Sequence, residues 1–291
     1  LKSIRHSPKA LSTSGLPAPK VRPKRSGPLH VEVISVGREL LRGQVADLNA
    51  KTIAEFVSRR GGLVHRMTVV DDNARAIAGA VREALIRNPH LVVTSGGLGP
   101  ASDDLTLSGV AEVLGQPLSM NQQARKMVEE AYLRLQRARQ VGTAALNPAR
   151  EKMCKIPVGS QPIPNEIGIA PGVICKLPGG AAVVCLPGLP DEMRHVLDNA
   201  VRILQELTTK VHTAKRELEA PTPDESSLSE LIKRLASEFP GLWISSRTLR
   251  AGRRGVSVVV TLEATASTIQ EANAVVSGAQ RRLLTLAGEG H

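Results

Sequence analysis

Residues 95–106 read SGGLGPASDDLT. They follow the apolar run Leu91-Val92-Val93 and precede an apolar pattern of helical spacing over residues 105–114. That order predicts a buried strand ending in a glycine turn, which delivers Asp103 and Asp104 to a helix start. Glycines let a backbone approach a ligand closely, and the free N–H groups of a helix start favour phosphate. Two carboxylates beside an anion site require a cation between them, and Mg²⁺ or another divalent cation is the expected one. A plain capped turn would need a single acid.

The same alternation surrounds this turn. Upstream, 31–37 (VEVISVG) reads as a strand, 49–60 as a helix, 63–70 as a strand and 73–87 as a helix. Strands and helices of these lengths imply a parallel sheet covered on both faces. Ligands in such sheets sit outside the carboxyl ends of the strands, where Gly37, Asp72 and the SGGLGP turn fall together. Downstream, 121–140 reads as a charged helix without a matching strand, an insertion beside the site. Residues 147–172 are rich in Pro and Gly and are expected to be mostly loop. Residues 173–177 and 181–186 form a hairpin, and 191–207 a helix. After a polar stretch with Pro221 and Pro223, a small α+β module follows, with strands over 214–219, 242–247 and 256–263 and helices over 225–237 and 268–286. The expected fold class is therefore a three-layer, doubly wound, mostly parallel α/β sheet followed by a KH-like α+β module. The domains are an arm (1–30), a main domain (31–207) and the module (208–291). Gly252-Arg253-Arg254-Gly255 matches the GxxG of RNA-binding KH loops, but here it joins two strands and reads as a hairpin turn.

Composition narrows the function classes. The chain has 291 residues and a net charge of +11, but residues 1–30 contain seven Lys and Arg and no acid, leaving +4 for the remainder. The arm, rich in Pro, Ser and Lys, is expected to be disordered. An organellar transit peptide is the less favoured reading, because the arm has many prolines for an amphipathic helix. No apolar run approaches a membrane span, and a cytoplasmic location is expected. With two Phe, one Tyr and one Trp, the chain offers no aromatic platform for bases, so nucleic acid is not the expected partner. Cys154, Cys175 and Cys185 fit no zinc spacing and read as thiols in a reducing compartment. Trp243 is expected in the core of the module, and Met67, Met153 and Met193 in the main core. His65, His195 and His212 read as surface or packing residues.

The turn resembles the TGGLGPTxDDxT motif of the CinA (competence/damage-inducible) family, whose first domain has the molybdopterin-binding fold. Residues 37–43 (GRELLRG) resemble the family's GTELLxG, and 47–50 (DLNA) its DTNA. Residues 70–73 (VDDN) are similar to VGDN. Asn165, Gly168 and 170–172 (APG) resemble NxxGxAPG, and 186–193 (LPGLPDEM) resemble LPGPPxEM. The matches keep family order over about residues 31–205, and the last module looks like the KH-like subdomain that follows. Arg38 replaces Thr of GTEL, Ala101 replaces Thr of GPT and removes a hydroxyl, and Leu189 replaces a Pro at the lip of the pocket. Full-length members carry a further domain resembling nicotinamide mononucleotide deamidases. The sequence ends near 291 without it, and that activity is not expected.

The resemblance implies a divalent-metal-dependent pyrophosphatase that hydrolyses ADP-ribose to AMP and ribose 5-phosphate. Asp72 and Asp104 would hold the metal. Asp103 is either a third ligand or the base for the attacking water, and Glu39 is a second candidate base. Gly96, Gly97 and Gly99 would offer N–H groups to phosphate, with Gly37, Arg38, Asn49 and Pro100 beside them. Thr106 would cap the helix or bond a phosphate oxygen, and Pro187 and Gly188 would wall the nucleotide or pterin pocket. Arg150 and Lys152 are candidate phosphate clamps, although solvated loop charges are commoner. The alternative is a molybdopterin-binding protein of molybdenum-cofactor assembly, an adenylyltransferase or carrier, using the same crevice. A non-catalytic module tethered by its arm is a third reading, and a relative of the molybdopterin-binding-like domain of FAD synthases a fourth. The partner is a small nucleotide or pterin phosphate, and a homo-oligomer is expected from the module's sheet edge.

Overall fold

A computed structural model describes residues 29–203, 212–220, 225–250 and 256–288. Its first strand, β1 (His30–Val36), explains the central sheet: Ile34 and Val36 belong to one apolar layer, Val31 and Val33 to the other. A strand buried on both faces belongs inside a parallel sheet. β2 (Leu63–Val70) and β3 (Leu91–Ser95) flank β1 in parallel, and β8 (Ala182–Leu186) continues the parallel run beyond β3. β7 (Gly172–Lys176) pairs antiparallel with β8, and β6 (Gln161–Ile163) antiparallel with β7. The order is thus β2-β1-β3-β8-β7-β6.

Helices cover both faces. α2 (Leu48–Ser58) and α7 (Pro190–Ile203) bury Ile53, Val57, Met193 and Val196 on one side. α3 (Ala74–Ile86), α4 (Thr106–Leu114) and α5 (Gln122–Arg137) bury Ile77, Val81, Val110 and Val128 on the other. Ile34, Ile53 and Ile77 are fully buried, each stabilising the fold by roughly 1.5–3 kcal/mol. Three helix starts follow local chemistry: the side chains of Asp47, Asn73 and Asn121 accept first-turn N–H groups of α2, α3 and α5. α4 ends on Gly115 in the left-handed conformation.

The stretch expected to be mostly loop, 147–172, has two short strands, and a third, also unforeseen, precedes α5. β4 (Leu118–Met120) pairs with β5 (Lys155–Pro157) and so brackets α5, while β6 joins the main sheet. A short helix, α6 (Pro148–Lys152), starts on the Asn147 cap with Pro148 in its first turn. Another, α1 (Arg38–Leu41), follows β1 directly.

The C-terminal unit is a three-stranded antiparallel sheet in the order β10-β11-β9, from β9 (His212–Glu219), β10 (Trp243–Arg250) and β11 (Val256–Ala266). α8 (Glu225–Glu238) and α9 (Ile269–Gly288) pack on it around Leu235, Val260, Leu262, Val276 and Leu283. Trp243 does not anchor this core. It pairs with Glu263 on the face opposite Ile244 and is 56% exposed. Met67, on the edge strand β2, is also exposed, whereas Met153 and Met193 are buried as expected. The unit touches the main domain at the end of α2: Ser58 Oγ donates to Glu263 (3.0 Å) and Thr213 Oγ1 to the Ser58 carbonyl (3.0 Å). The arm expected over 1–30, apart from residues 29 and 30, lies outside the described residues. So do the boundary at 207/208 and the GxxG of 252–255. Among the described residues no helix is long and apolar enough to cross a membrane. All three cysteines are free and buried.

Candidate functional site

The chain after β1 moves outward to β2, and then returns across β1 to β3. A reversal of this kind opens a crevice at the carboxyl ends of the two central strands. Here the crevice measures about 530 Å³ and collects four strand ends: Val36 after β1, Asp72 after β2, the 96–101 turn after β3, and Pro187 and Gly188 after β8. Three of these ends were expected from the alternation of strands and helices; the fourth, after the hairpin strand β8, holds the Pro187 and Gly188 expected from the resemblance.

The turn after β3 has a backbone that only glycine tolerates. Gly96 has φ +102° and Gly97 +67°. A methyl group on Gly96 would lie 2.4 Å from the Val36 carbonyl oxygen, and one on Gly97 2.3 Å from Thr106 Oγ1. Thr106, fully buried, neither caps α4 nor faces the crevice. Its hydroxyl donates to the Gly96 carbonyl (2.7 Å) and its N–H to the Gly97 carbonyl (3.1 Å), which ties the turn to the first residue of α4. Asn49 is likewise a tie. Its Nδ2 donates to Ser95 Oγ (2.9 Å) and to the Gly188 carbonyl (2.7 Å), joining the turns that follow β3 and β8.

The acids are partly committed. Asp104 Oδ2 accepts the Ala101 N–H (2.8 Å), and Asp72 Oδ2 accepts the Arg38 N–H (2.8 Å). Each carboxylate therefore has one oxygen on the backbone and one left for a ligand. Asp103 and Glu39 also line the crevice. Among the described residues no group of three or more His, Cys, Asp or Glu is placed to hold a metal ion. Asp72 and Asp104 are the residues that would hold a divalent cation, with water and phosphate oxygens completing its shell.

The cations divide differently from expectation. Arg38 lies outside the crevice lining; its guanidinium grips Asp71 (2.7 and 3.0 Å) and holds that carboxyl below the usual carboxylate range. Arg150 donates to the Thr143 and Ala145 carbonyls (2.8 and 2.7 Å) and stacks on Tyr132, so it pins the loop rather than clamping phosphate. Lys152 donates to the Ala101 carbonyl on the crevice turn. Burial lowers its ammonium pKa, and Asp104 and Asp103 oppose that shift.

Of the expected residues, Glu39, Asp72, Gly96, Gly97, Gly99, Pro100, Asp103, Asp104, Pro187 and Gly188 line the crevice; Gly37, Arg38, Asn49 and Thr106 do not. Gly37 instead donates its N–H to the Val70 carbonyl (3.0 Å). No role was expected for Leu98, Met153, Ile169, Ala170 or Glu192, which complete the wall. Ala170 and Glu192 sit within the APG and LPGLPDEM strings, so their position was signalled although their role was not.

A sequence profile described as a probable molybdopterin binding domain matches residues 32–206. The crystal structure of the protein CinA with unknown function from Thermoplasma acidophilum superposes with a TM-score of 0.55 at 40% identity, covering 62% of this chain and 99% of that one. The chain belongs to the CinA-like molybdopterin-binding family. A protein of Pyrococcus horikoshii is 38% identical to this CinA-like chain over 208 residues, 72% of this chain and 80% of that protein. A CinA-like protein of Anaeromyxobacter is 42% identical over 171 residues, 59% of this chain and 40% of that protein. The profile ends near the last described residue of α7 and covers the whole crevice, including its Glu192 wall.

Proposed function

We propose that this CinA-like chain binds a phosphorylated pterin or nucleotide in the crevice, as a domain of the molybdopterin-binding type. The observation that carries the reading is the Gly96-Gly97 turn. Gly97 and Gly99 line the crevice at the switch point of a parallel sheet, beside Asp72 and Asp104. The N–H of buried Gly96, expected to face phosphate, is donated to the Leu186 carbonyl (3.0 Å) and supports the turn instead. Phosphate would sit on the turn, and the ring on the apolar wall of Met153, Ile169 and Ala170. A divalent cation held by Asp72 and Asp104 would neutralise the phosphate charge. Calorimetric titration with inorganic pyrophosphate and with a pterin phosphate, with and without Mg²⁺, tests the reading. The expected result is Mg²⁺-enhanced binding that Asp104→Ala weakens at least tenfold. Equal binding by both proteins would overturn it.

Hydrolysis of ADP-ribose is a second reading, favoured by one feature: Asp103 and Glu39 line the same crevice. Either carboxylate would take a proton from water as its oxygen attacks one phosphorus. The anhydride P–O bond breaks, and the products are AMP and ribose 5-phosphate. Metal-dependent AMP release, reduced at least a hundredfold by Asp103→Asn or Glu39→Gln, is the expected outcome. Pterin phosphate binding without any turnover would leave binding as the function.

A further inference from the structure

A second cavity, of about 650 Å³, shares no lining residue with the crevice. It lies between α5 and α7 beside the edge strand β6. Gln123, Lys126, Glu130 and Arg134 line it from α5, and their spacings of three and four residues put them on one helix face. Asn199 and Arg202 line it from α7, and Gln161 and the 164–166 loop complete it. Asn165 lies between the two cavities. It lines this one, is buried, and donates to the Ala170 carbonyl (2.8 Å) and Glu192 Oε2 (2.6 Å), both of the crevice wall.

Charge in this lining is unbalanced. Glu130 Oε1 stands 3.9 Å from Lys126 Nζ on its own helix. Glu166 is taken by His195 Nε2 and by Asn199 Nδ2 (3.2 Å), and the His195 contact holds its carboxyl below the usual carboxylate range. Both carboxylates of the lining are therefore engaged. The two guanidiniums meet only neutral acceptors: Arg134 donates to the Gly168 carbonyl (3.0 Å) and Arg202 to Asn199 Oδ1 (3.4 Å). Among the described residues neither forms an ion pair. A guanidinium has five N–H donors, so most of each remains for a ligand. The cavity suits a small molecule better than a docked chain. β6 is three residues long and contains Pro162, which blunts it as an edge for another strand. None of the exposed large apolar side chains lies in the lining.

We propose that Arg134 and Arg202 bind the phosphate group of a small phosphomonoester in this second cavity, apart from the crevice. Guanidinium forks match phosphate oxygens in paired, charge-assisted hydrogen bonds. A phosphate dianion supplies the two charges that the guanidiniums lack, and its three terminal oxygens accept from two helices at once. The amides of Gln123 and Gln161 add donors, while Met127, Pro164 and Ile203 offer apolar surface to the carbon body of the ester. The site stands whatever the crevice binds.

The experiment is calorimetric titration of the full chain, in metal-free buffer, with inorganic phosphate, phenyl phosphate and succinate. Arg134→Gln and Arg202→Gln should each weaken binding of both phosphates at least tenfold, while Asp104→Ala changes it less than twofold. Arg82→Gln, an exposed arginine already paired with Glu112 (3.2 Å), controls for net charge and should also change it less than twofold. Bound phenyl phosphate should slow hydrogen exchange over 122–137 and 161–168. Both cavity arginines are exposed, and melting curves report whether their variants keep the fold. Affinity unchanged in both cavity variants, an equal loss in Arg82→Gln, or tighter binding of succinate than of phosphate would overturn the proposal. Binding lost in Asp104→Ala alone would place phosphate in the crevice, so the crevice reading would stand and this one fail. Binding lost in the two arginine variants alone would establish the second site, with the crevice judged by its own titration.

Discussion

At the scale of single residues, the crevice depends on atoms that cannot be enlarged or moved. Gly97→Ala places a methyl group against Thr106 Oγ1 at a positive φ, a conformation that costs of order 1–3 kcal/mol for a non-glycine residue. The expected outcome is a lower melting temperature together with loss of pyrophosphate binding, read by thermal melts and calorimetry on one preparation. Thr106→Val keeps the shape and removes the donor to the buried Gly96 carbonyl, at an expected cost of about 1–3 kcal/mol. Thr106→Ser should recover most of it, which a urea series would show. Arg150→Ala behaves differently: it frees the 143–145 carbonyls and should leave phosphate affinity within twofold. The glycines and acids of the SGGLGPASDD stretch were legible because each residue type has one chemical use in such a turn. Thr106 and Asn49 were misassigned for a physical reason. A short polar side chain near a ligand turn can serve the ligand or the turn, and composition does not say which. Glu192 was given no role because Asn165, which holds its carboxylate, is distant in sequence.

At the scale of elements, the long helices and strands were legible and the short strands were not. α3 shows why. Its cap Asn73, its apolar face Ile77 and Val81, and its length all agree. β4, β5 and β6 are three residues each, too short for a period of two to appear. They also lie among prolines that read as loop. β10 was recognised as a strand with the wrong face, since an exposed Trp243 and a buried Ile244 differ by a one-residue shift in the alternation. One inter-element tie has a measurable weight. Arg87, at the end of α3, bonds both oxygens of Glu32 in β1 (2.7 and 2.6 Å), and Glu32 is 4% exposed. Arg87→Ala leaves that carboxylate buried and unpaired, and an expected loss of about 2–3 kcal/mol should appear in chemical denaturation with ligand binding retained. Replacing both residues by apolar ones of similar size should recover part of the loss.

At the scale of the molecule, the sheet core carries a titratable load that the crevice does not use. Burial pushes the Cys154 and Cys175 thiols from 9.0 to about 11, and pushes Cys185 higher still. Folding therefore retains protons that the unfolded chain would release. The associated stability is complete below pH 9 and falls as pH rises from 9 toward 11. The urea midpoint should be flat between pH 7 and 8.5 and decline by pH 10. A thiol reagent at pH 7.5 should label none of the three cysteines until the chain unfolds. Rapid labelling of the native protein would contradict this packing. The mostly parallel main sheet, covered on both faces, was legible because alternating strands and helices leave few topologies open. The contact between main domain and C-terminal unit was not, since it rests on Ser58, Thr213 and Glu263, polar residues without a pattern.

That contact has a mechanical consequence. α2 has 11 residues, a rod about 16 Å long. Its far end is pinned to the C-terminal sheet through Ser58. Its near end holds both crevice turns through the single amide of Asn49. A stiff rod fastened at both ends acts as a lever. Were the C-terminal sheet to tilt, α2 is the connection through which the strain would reach Asn49 and the gap between the two turns.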